Sequence, residues 1–272
     1  MLSCSKWLSG VCAFGATSIV AAKNRLVHPG EFLLSQSFLL VVFFIFIELW
    51  SKLYKTSLSI DGYTLTQILT YLVVTETLMV SMPQIWRGVQ ADVRHGDISI
   101  YVVRPIGYVV YQAALYMGET VVRVPSAFVF SIALVMIRLG HIALSINMLW
   151  WFVLSVSLAL FLNFAFEILI GLSSFWVEDS TGWYLVLSMF RMMGSGMLLP
   201  FQMMPHWLGR ILLNLPFGYV LYGPAKIAVT NHVSGLLVSR IIGGQVVWIL
   251  ILTTIVVVVS RAGNHKLAIY GG

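Results

Sequence analysis

The chain returns again and again to runs of about 20 residues with little or no charge, the length that crosses the hydrocarbon core of a bilayer as a helix. The clearest is Leu236–Ser260, dominated by Val and Ile. A soluble domain carries roughly 25% charged residues, whereas here 10% are charged and 59% hydrophobic. A water-soluble fold of 272 residues must still face solvent, and it has nowhere to hide so much apolar side chain. Lipid accepts it. The sequence therefore predicts an all-α polytopic membrane protein with six transmembrane helices. No stretch is polar and long enough to form a soluble catalytic domain.

The expected spans are 32–50, 63–82, 109–137, 142–175, 184–199 and 236–260. The second is unusually polar, with Thr64, Thr66, Gln67, Thr70, Thr75, Glu76 and Thr77. The fourth is longer than a bilayer requires, so it must tilt or project from it. The last ends at Ser260, followed by a short polar tail after Arg261. Residues 1–27 have two readings. An apolar stretch after Lys6 that ends in Ala21-Ala22 resembles a signal peptide. The preferred reading is an interfacial amphipathic helix, with Trp7, Val11 and Phe14 on one face and a break at His28-Pro29-Gly30. The six-span domain then covers 28–272.

Between the fifth and sixth spans the punctuation changes. Residues 194–229 hold Pro200, Pro205, Pro216 and Pro224, half of the chain's 8 prolines, yet the segment stays apolar between them. A continuous spanning helix does not tolerate this, and a solvated loop is not this apolar. Short helices that dip into the membrane and return, shielded by neighbouring protein, satisfy both constraints. This predicts an external re-entrant segment over 200–232.

Lys and Arg set orientation. With a cytoplasmic N-terminus, the inner segments hold Lys6, Lys23, Arg25, Arg87, Arg94, Arg104, Arg261 and Lys266. The outer ones hold Lys52, Lys55, Arg138, Arg210 and Lys226. Eight against five places both termini in the cytoplasm, a margin that Arg240 would narrow. The net charge of +6 is scattered, so nucleic acid is not a partner. Cys4 and Cys12 form neither a metal pattern nor a disulfide framework, and the histidines are isolated, including His95, His206 and His232.

The order of these features resembles the permeases of type-2 ABC exporters, in the branch of small six-span subunits paired with a separate ATPase. The resemblance is carried by Gly196, Pro200, Pro205, Trp207, Leu215-Pro216-Phe217 and Pro224, and by SSFWVED at 173–179. It is also carried by GDISIYVVRPI at 96–106 and by an N-terminal helix ending in a basic residue before a first span that ends in Trp50. The resemblance implies a bacterial plasma or inner membrane protein that works as a dimer with an identical or paralogous permease. It implies an ABC ATPase, in two copies, docked on a coupling segment at 87–104. ATP and Mg belong to that partner, for this chain has no GxxxxGK[ST] phosphate loop and needs no cofactor of its own. The implied role is export of an amphipathic lipid, drug or peptide-like substrate. An integral membrane enzyme and a secondary transporter are the alternatives. The first lacks a cluster of acid, base or metal groups; the second lacks an internal repeat.

Arg87, Asp92, Arg94 and Asp97 are the residues expected to meet the ATPase, because a short helix with charges of both signs suits a polar groove. Ionisable groups at membrane depth are functional candidates by default. Glu119 and Arg123 are four apart, share a helix face and are expected to pair. Glu76 and Glu167 have no partner on their own helices. Each is expected either to line the translocation path, to pair with Arg191, or to snorkel from near an interface.

Overall fold

The computed structural model describes residues 2–27, 29–56, 58–102, 106–177, 179–230 and 235–270. Expectations attached to His28, Arg104, Glu178, His232 and the side chain of Trp7 fall outside the described residues and side chains. The architecture is all-helical, as the hydropathy pattern requires. Ten α-helices follow in order: α1 (Leu2–Val27), α2 (Pro29–Leu53), α3 (Leu65–Ser81), α4 (Trp86–His95), α5 (Tyr108–Leu139), α6 (Leu149–Leu172), α7 (Thr181–Gly194), α8 (His206–Leu212), α9 (Tyr222–Ala228) and α10 (Gly235–Tyr270).

Local chemistry explains several boundaries. Pro29 opens α2, where its missing N–H is harmless. Thr64 and Gln67 form a reciprocal capping box at the start of α3. Gly96 and Gly140 end α4 and α5 in the left-handed conformation. Pro125 lies inside α5.

Among the described residues four helical stretches are long and apolar enough to cross a membrane: Leu65–His95, Tyr108–Arg138, Ile146–Phe175 and Gly235–Gly263. The chain is an integral membrane protein. Three expected boundaries move. The fourth span does not begin at Ile142: residues 141–145 are non-helical and α6 has 24 residues. At 1.5 Å per residue α6 is about 36 Å long, still longer than a bilayer core of about 30 Å. The fifth helix, α7, stops at Gly194 after 14 residues, about 21 Å at 1.5 Å per residue, because the chain turns at Gly196 with φ 71°. The tail after Arg261 is not a separate polar strand of chain. It continues α10 to Tyr270, and Lys266 Nζ donates to the Phe175 carbonyl at 2.8 Å.

Helix α1 is attached to the bundle. It lies against α5, with Ser18 Oγ donating to the Ala114 carbonyl at 2.9 Å beside Gly118, a close approach that only small residues allow. Phe14 is half-buried and Val11 exposed.

The prolines of 200–224 begin short elements. Pro200 precedes the 3₁₀ turn Phe201–Met203, Pro205 precedes α8, and Pro224 sits in the first turn of α9. Helix α9 is buried and packs against α3, α6 and α10, so its irregular flanks are covered by protein as an apolar setting requires. The polarity of α3 is explained by this neighbour. Tyr71 Oη donates to the Gly196 carbonyl at 2.5 Å and Thr75 Oγ1 to the Met197 carbonyl at 2.9 Å. Gln67 reaches the Val229 carbonyl at 3.4 Å, and Thr77 Oγ1 bonds Ser131 Oγ at 2.8 Å. The hydroxyls of this span satisfy turns and a neighbouring helix.

Candidate functional site at the α4 end of the bundle

Helix α4 carries the expected docking charges, and its sequence splits cleanly. Trp86, Val89 and Val93 are buried, an i, i+3, i+7 stripe that seats the helix on the bundle. Arg87, Arg94 and His95 are exposed, as is Asp97 in the following 3₁₀ turn. A polar groove of about 420 Å³ opens there, lined by Arg87, Gln90, Arg94, His95 and Thr181 among others. Asp92 behaves differently from its three expected companions. It is half-buried and accepts hydrogen bonds from Tyr108 Oη at 2.7 Å and Gln112 Nε2 at 3.0 Å. It ties α4 to the start of α5.

Two further anchors hold α4. Gln90 Nε2 donates to Asp179 Oδ1 at 3.2 Å, and Ser180 Oγ donates to Gln90 Oε1 at 2.5 Å. Hydrogen bonds from the Thr181 hydroxyl, then from its backbone N–H and from Gln90, hold the Asp179 carboxyl below the usual aspartate range. The third anchor is the backbone itself. A Cβ on Gly171 would collide with the Val89 side chain and lie 3.0 Å from the Trp86 carbonyl oxygen. The glycine therefore allows α4 and α6 to touch.

Directly beneath the N-terminus of α4 lies a buried polar network. Glu167 is 0% exposed and Arg191 8%. Arg191 Nη1 donates to Glu167 Oε1 at 3.2 Å and to Asn163 Oδ1 at 2.8 Å. Asn163 Nδ2 donates to Tyr116 Oη at 3.0 Å. The other carboxylate oxygen, Glu167 Oε2, faces the Trp86 backbone N–H at 3.5 Å, one of the donors a helix N-terminus leaves unused. Trp86 stacks on Tyr184 of α7 with centroids 4.5 Å apart. One network thus joins α4, α5, α6 and α7. Of the roles the sequence left open for Glu167, pairing with Arg191 is the one the fold realises.

The other intramembrane candidates are placed apart. Glu76 is 4% exposed, and its Oε1 has no hydrogen-bond partner among the described residues. Glu119 and Arg123 do pair, at 3.5 Å, and Arg123 also donates to the Val80 carbonyl at 3.3 Å. Their side chains are 36% and 17% exposed, on a span whose outer face meets lipid rather than water. A double-mutant cycle on Glu119→Gln and Arg123→Leu, read from unfolding of the purified chain, should give a coupling of about 0.5–3 kcal/mol. Strictly additive losses would show that the contact contributes nothing.

At the opposite end stand Gly196, Pro200, Pro205, Trp207, Pro216, Phe217 and Pro224. Phe217 stacks between Phe166 of α6 and Phe190 of α7, with centroids at 5.3 and 6.5 Å, while Trp207 is exposed. Gln245 was not legible as important in the sequence. It is fully buried in α10, exchanges hydrogen bonds with Ser155 and donates to the Tyr219 carbonyl at 2.9 Å. A glutamine inside an apolar run was the available signal.

The family model for the ABC-2 family transporter protein matches residues 38–271, which takes in α3 through α10 and most of α2. The chain belongs to the ABC-2 transporter family. No curated protein matches it. Membership makes this a membrane transporter component, and the α4 platform belongs to the matched region of the ABC-2 chain. Among the described residues no group of His, Cys, Asp and Glu is arranged to hold a metal ion.

Proposed function

We propose that the chain is the permease subunit of an ATP-driven exporter, with α4 as the element that receives force from a separate ATPase. The observation that supports this best is the two-sided anchoring of α4. Its exposed side and the following turn offer Arg87, Arg94, His95 and Asp97, while Glu167, Asp92, Gln90 and Gly171 hold the other side to α5, α6 and the start of α7. A push on such a helix is delivered to α5, α6 and α7 together. In this reading α2 and α7 complete six spans with the four long apolar helices. The α4 end and both termini are cytoplasmic, and 200–232 forms a re-entrant segment at the outer side. Helix α7, at about 21 Å, is short for a bilayer core of about 30 Å. It exposes Trp183, Met189, Phe190 and Met193, and we assign that face to a second permease subunit, identical or paralogous. The substrate leaves the cytoplasm or the inner leaflet through the path between the two.

Co-expression with a candidate ABC ATPase from the same genome tests the reading. The two chains should co-purify, ATP hydrolysis should require the ATPase chain, and reversing charge at Arg94 and Asp97 together should weaken assembly or uncouple transport. ATP hydrolysis by this chain alone would sink the proposal, as would transport unaffected by those reversals.

A further inference from the structure

The end of the bundle opposite α4 holds a cavity of about 350 Å³ between α10 and the Pro-rich segment. This is within the range of small-molecule pockets, roughly 300–1,000 Å³. Its walls divide by chemistry. Leu213, Leu236, Leu237 and Ile241 form an apolar side with the rings of Phe201, Tyr219 and Tyr222. The polar side is Arg240, together with Gln202. Gly218 and Gly223 line the cavity as well, and a side chain at either would press on Phe201 or Ile241.

Arg240 is the unusual member. It is exposed, yet it makes no hydrogen bond or ion pair with the described residues, although its charge is near enough to act on the Tyr222 hydroxyl. The other polar groups there are engaged with one another. Gln202 Nε2 donates to Tyr222 Oη at 2.6 Å, Tyr63 Oη donates to Gln202 Oε1 at 3.1 Å, and Lys226 Nζ donates to Tyr63 Oη at 2.7 Å. The whole end is electropositive. It carries Lys52, Lys55, Arg138, Arg210, Lys226 and Arg240 against Glu48 and Asp61, and of these Glu48 is already taken by Arg138 at 3.0 Å. A guanidinium presents a planar fork of donors matched to a carboxylate or phosphate. Leu236, 83% exposed, continues the apolar wall onto the outer surface of the bundle.

We propose that this cavity binds the acidic head and first part of the chain of an amphiphile, with Arg240 holding the carboxylate or phosphate and the Leu236–Leu237–Ile241 wall holding the chain. A cationic fork at one side of an apolar, aromatic cavity selects against free anions, which lack the chain, and against neutral amphiphiles, which leave Arg240 unused. The cavity is built by this chain alone and needs no ATPase, so its occupancy stands apart from the exporter reading.

The test uses the full-length chain purified in a neutral maltoside detergent. Binding of radiolabelled lysophosphatidic acid and of palmitate is measured against lysophosphatidylcholine and inorganic phosphate. Both acidic amphiphiles should bind, with Arg240→Gln weakening each by about tenfold, equal to about 1.4 kcal/mol. Arg240→Lys should retain part of the affinity, and Leu237→Trp should obstruct the cavity. Arg210→Gln, a charge change at the same end but outside the cavity lining, should leave binding unchanged. Equal losses for Arg240→Gln and Arg210→Gln would reduce the effect to a general positive field and overturn the site. So would equal binding of lysophosphatidylcholine, or displacement of the amphiphile by inorganic phosphate alone. Arg240 is exposed and has no partner among the described residues, so its variants should elute as the parent does. Binding that survives Arg240→Gln intact also ends the proposal.

Discussion

Arg191→Leu is expected to destabilise the purified chain by about 3–5 kcal/mol, the loss that follows when one partner of a buried ion pair is removed. The guanidinium serves both Glu167 and Asn163, and its removal strands a carboxylate that is fully buried. The double change Glu167→Gln with Arg191→Leu should be milder than Arg191→Leu alone, because no uncompensated charge remains. A glutamine at 167 also keeps an oxygen for the Trp86 N–H, so the seat of α4 survives in part. Unfolding of the four proteins in detergent, compared as a cycle, decides the matter. If Arg191→Leu proves as stable as the parent, or no worse than the double variant, the network does not hold the bundle together.

Gly171→Ala is the second large effect. Its added methyl meets the Val89 side chain and crowds the Trp86 carbonyl, so α4 must lift from α6. Overpacking of this kind costs about 1–3 kcal/mol. The functional loss should be larger than the stability loss suggests, since the displaced helix is the one assigned to receive the ATPase. ATP-driven transport by the assembled exporter should fall by about tenfold, roughly 1.4 kcal/mol in the coupled step. Gly182→Ala is the control, because a methyl there meets nothing within 4 Å. Val89→Ala placed in the Gly171→Ala background removes the Cγ1 collision but keeps the Cβ that lies closest to the added methyl, so it should recover little of the activity. Unchanged transport in Gly171→Ala would mean that the contact between α4 and α6 does not carry the coupling.

These expectations depend on placements of unequal legibility. The seat of α4 was half visible: Trp86, Val89 and Val93 fall on one helical face and the basic residues on another. That Asp92 turns inward to Tyr108 and Gln112 was not, because an acid on a charged helix carries no mark of which neighbour it will meet. Glu119 and Arg123 could be paired from spacing alone, since residues four apart on a helix are neighbours. Glu167 and Arg191 are 24 residues apart on different helices, and Arg191 was only one of several fates open to Glu167.

The sequence alone determined the solvent, the helical class and the family resemblance. Each follows from short-range properties: apolar run length against bilayer thickness, proline punctuation, and motifs in linear order. It also located the irregular segment, because Pro200, Pro205 and Pro224 fall close together and each precedes or opens a short element instead of continuing a long helix. Only the tertiary structure decided what the polar residues of the spans are for. In a low-dielectric interior a buried polar group is held by the partner that satisfies it, and those partners come from other helices. So Thr75 and Tyr71 serve the turn at Gly196, Gln245 joins α10 to α6, and Glu167 faces the start of α4. Glu76 alone among these acids of the spans keeps a buried oxygen with no partner among the described residues.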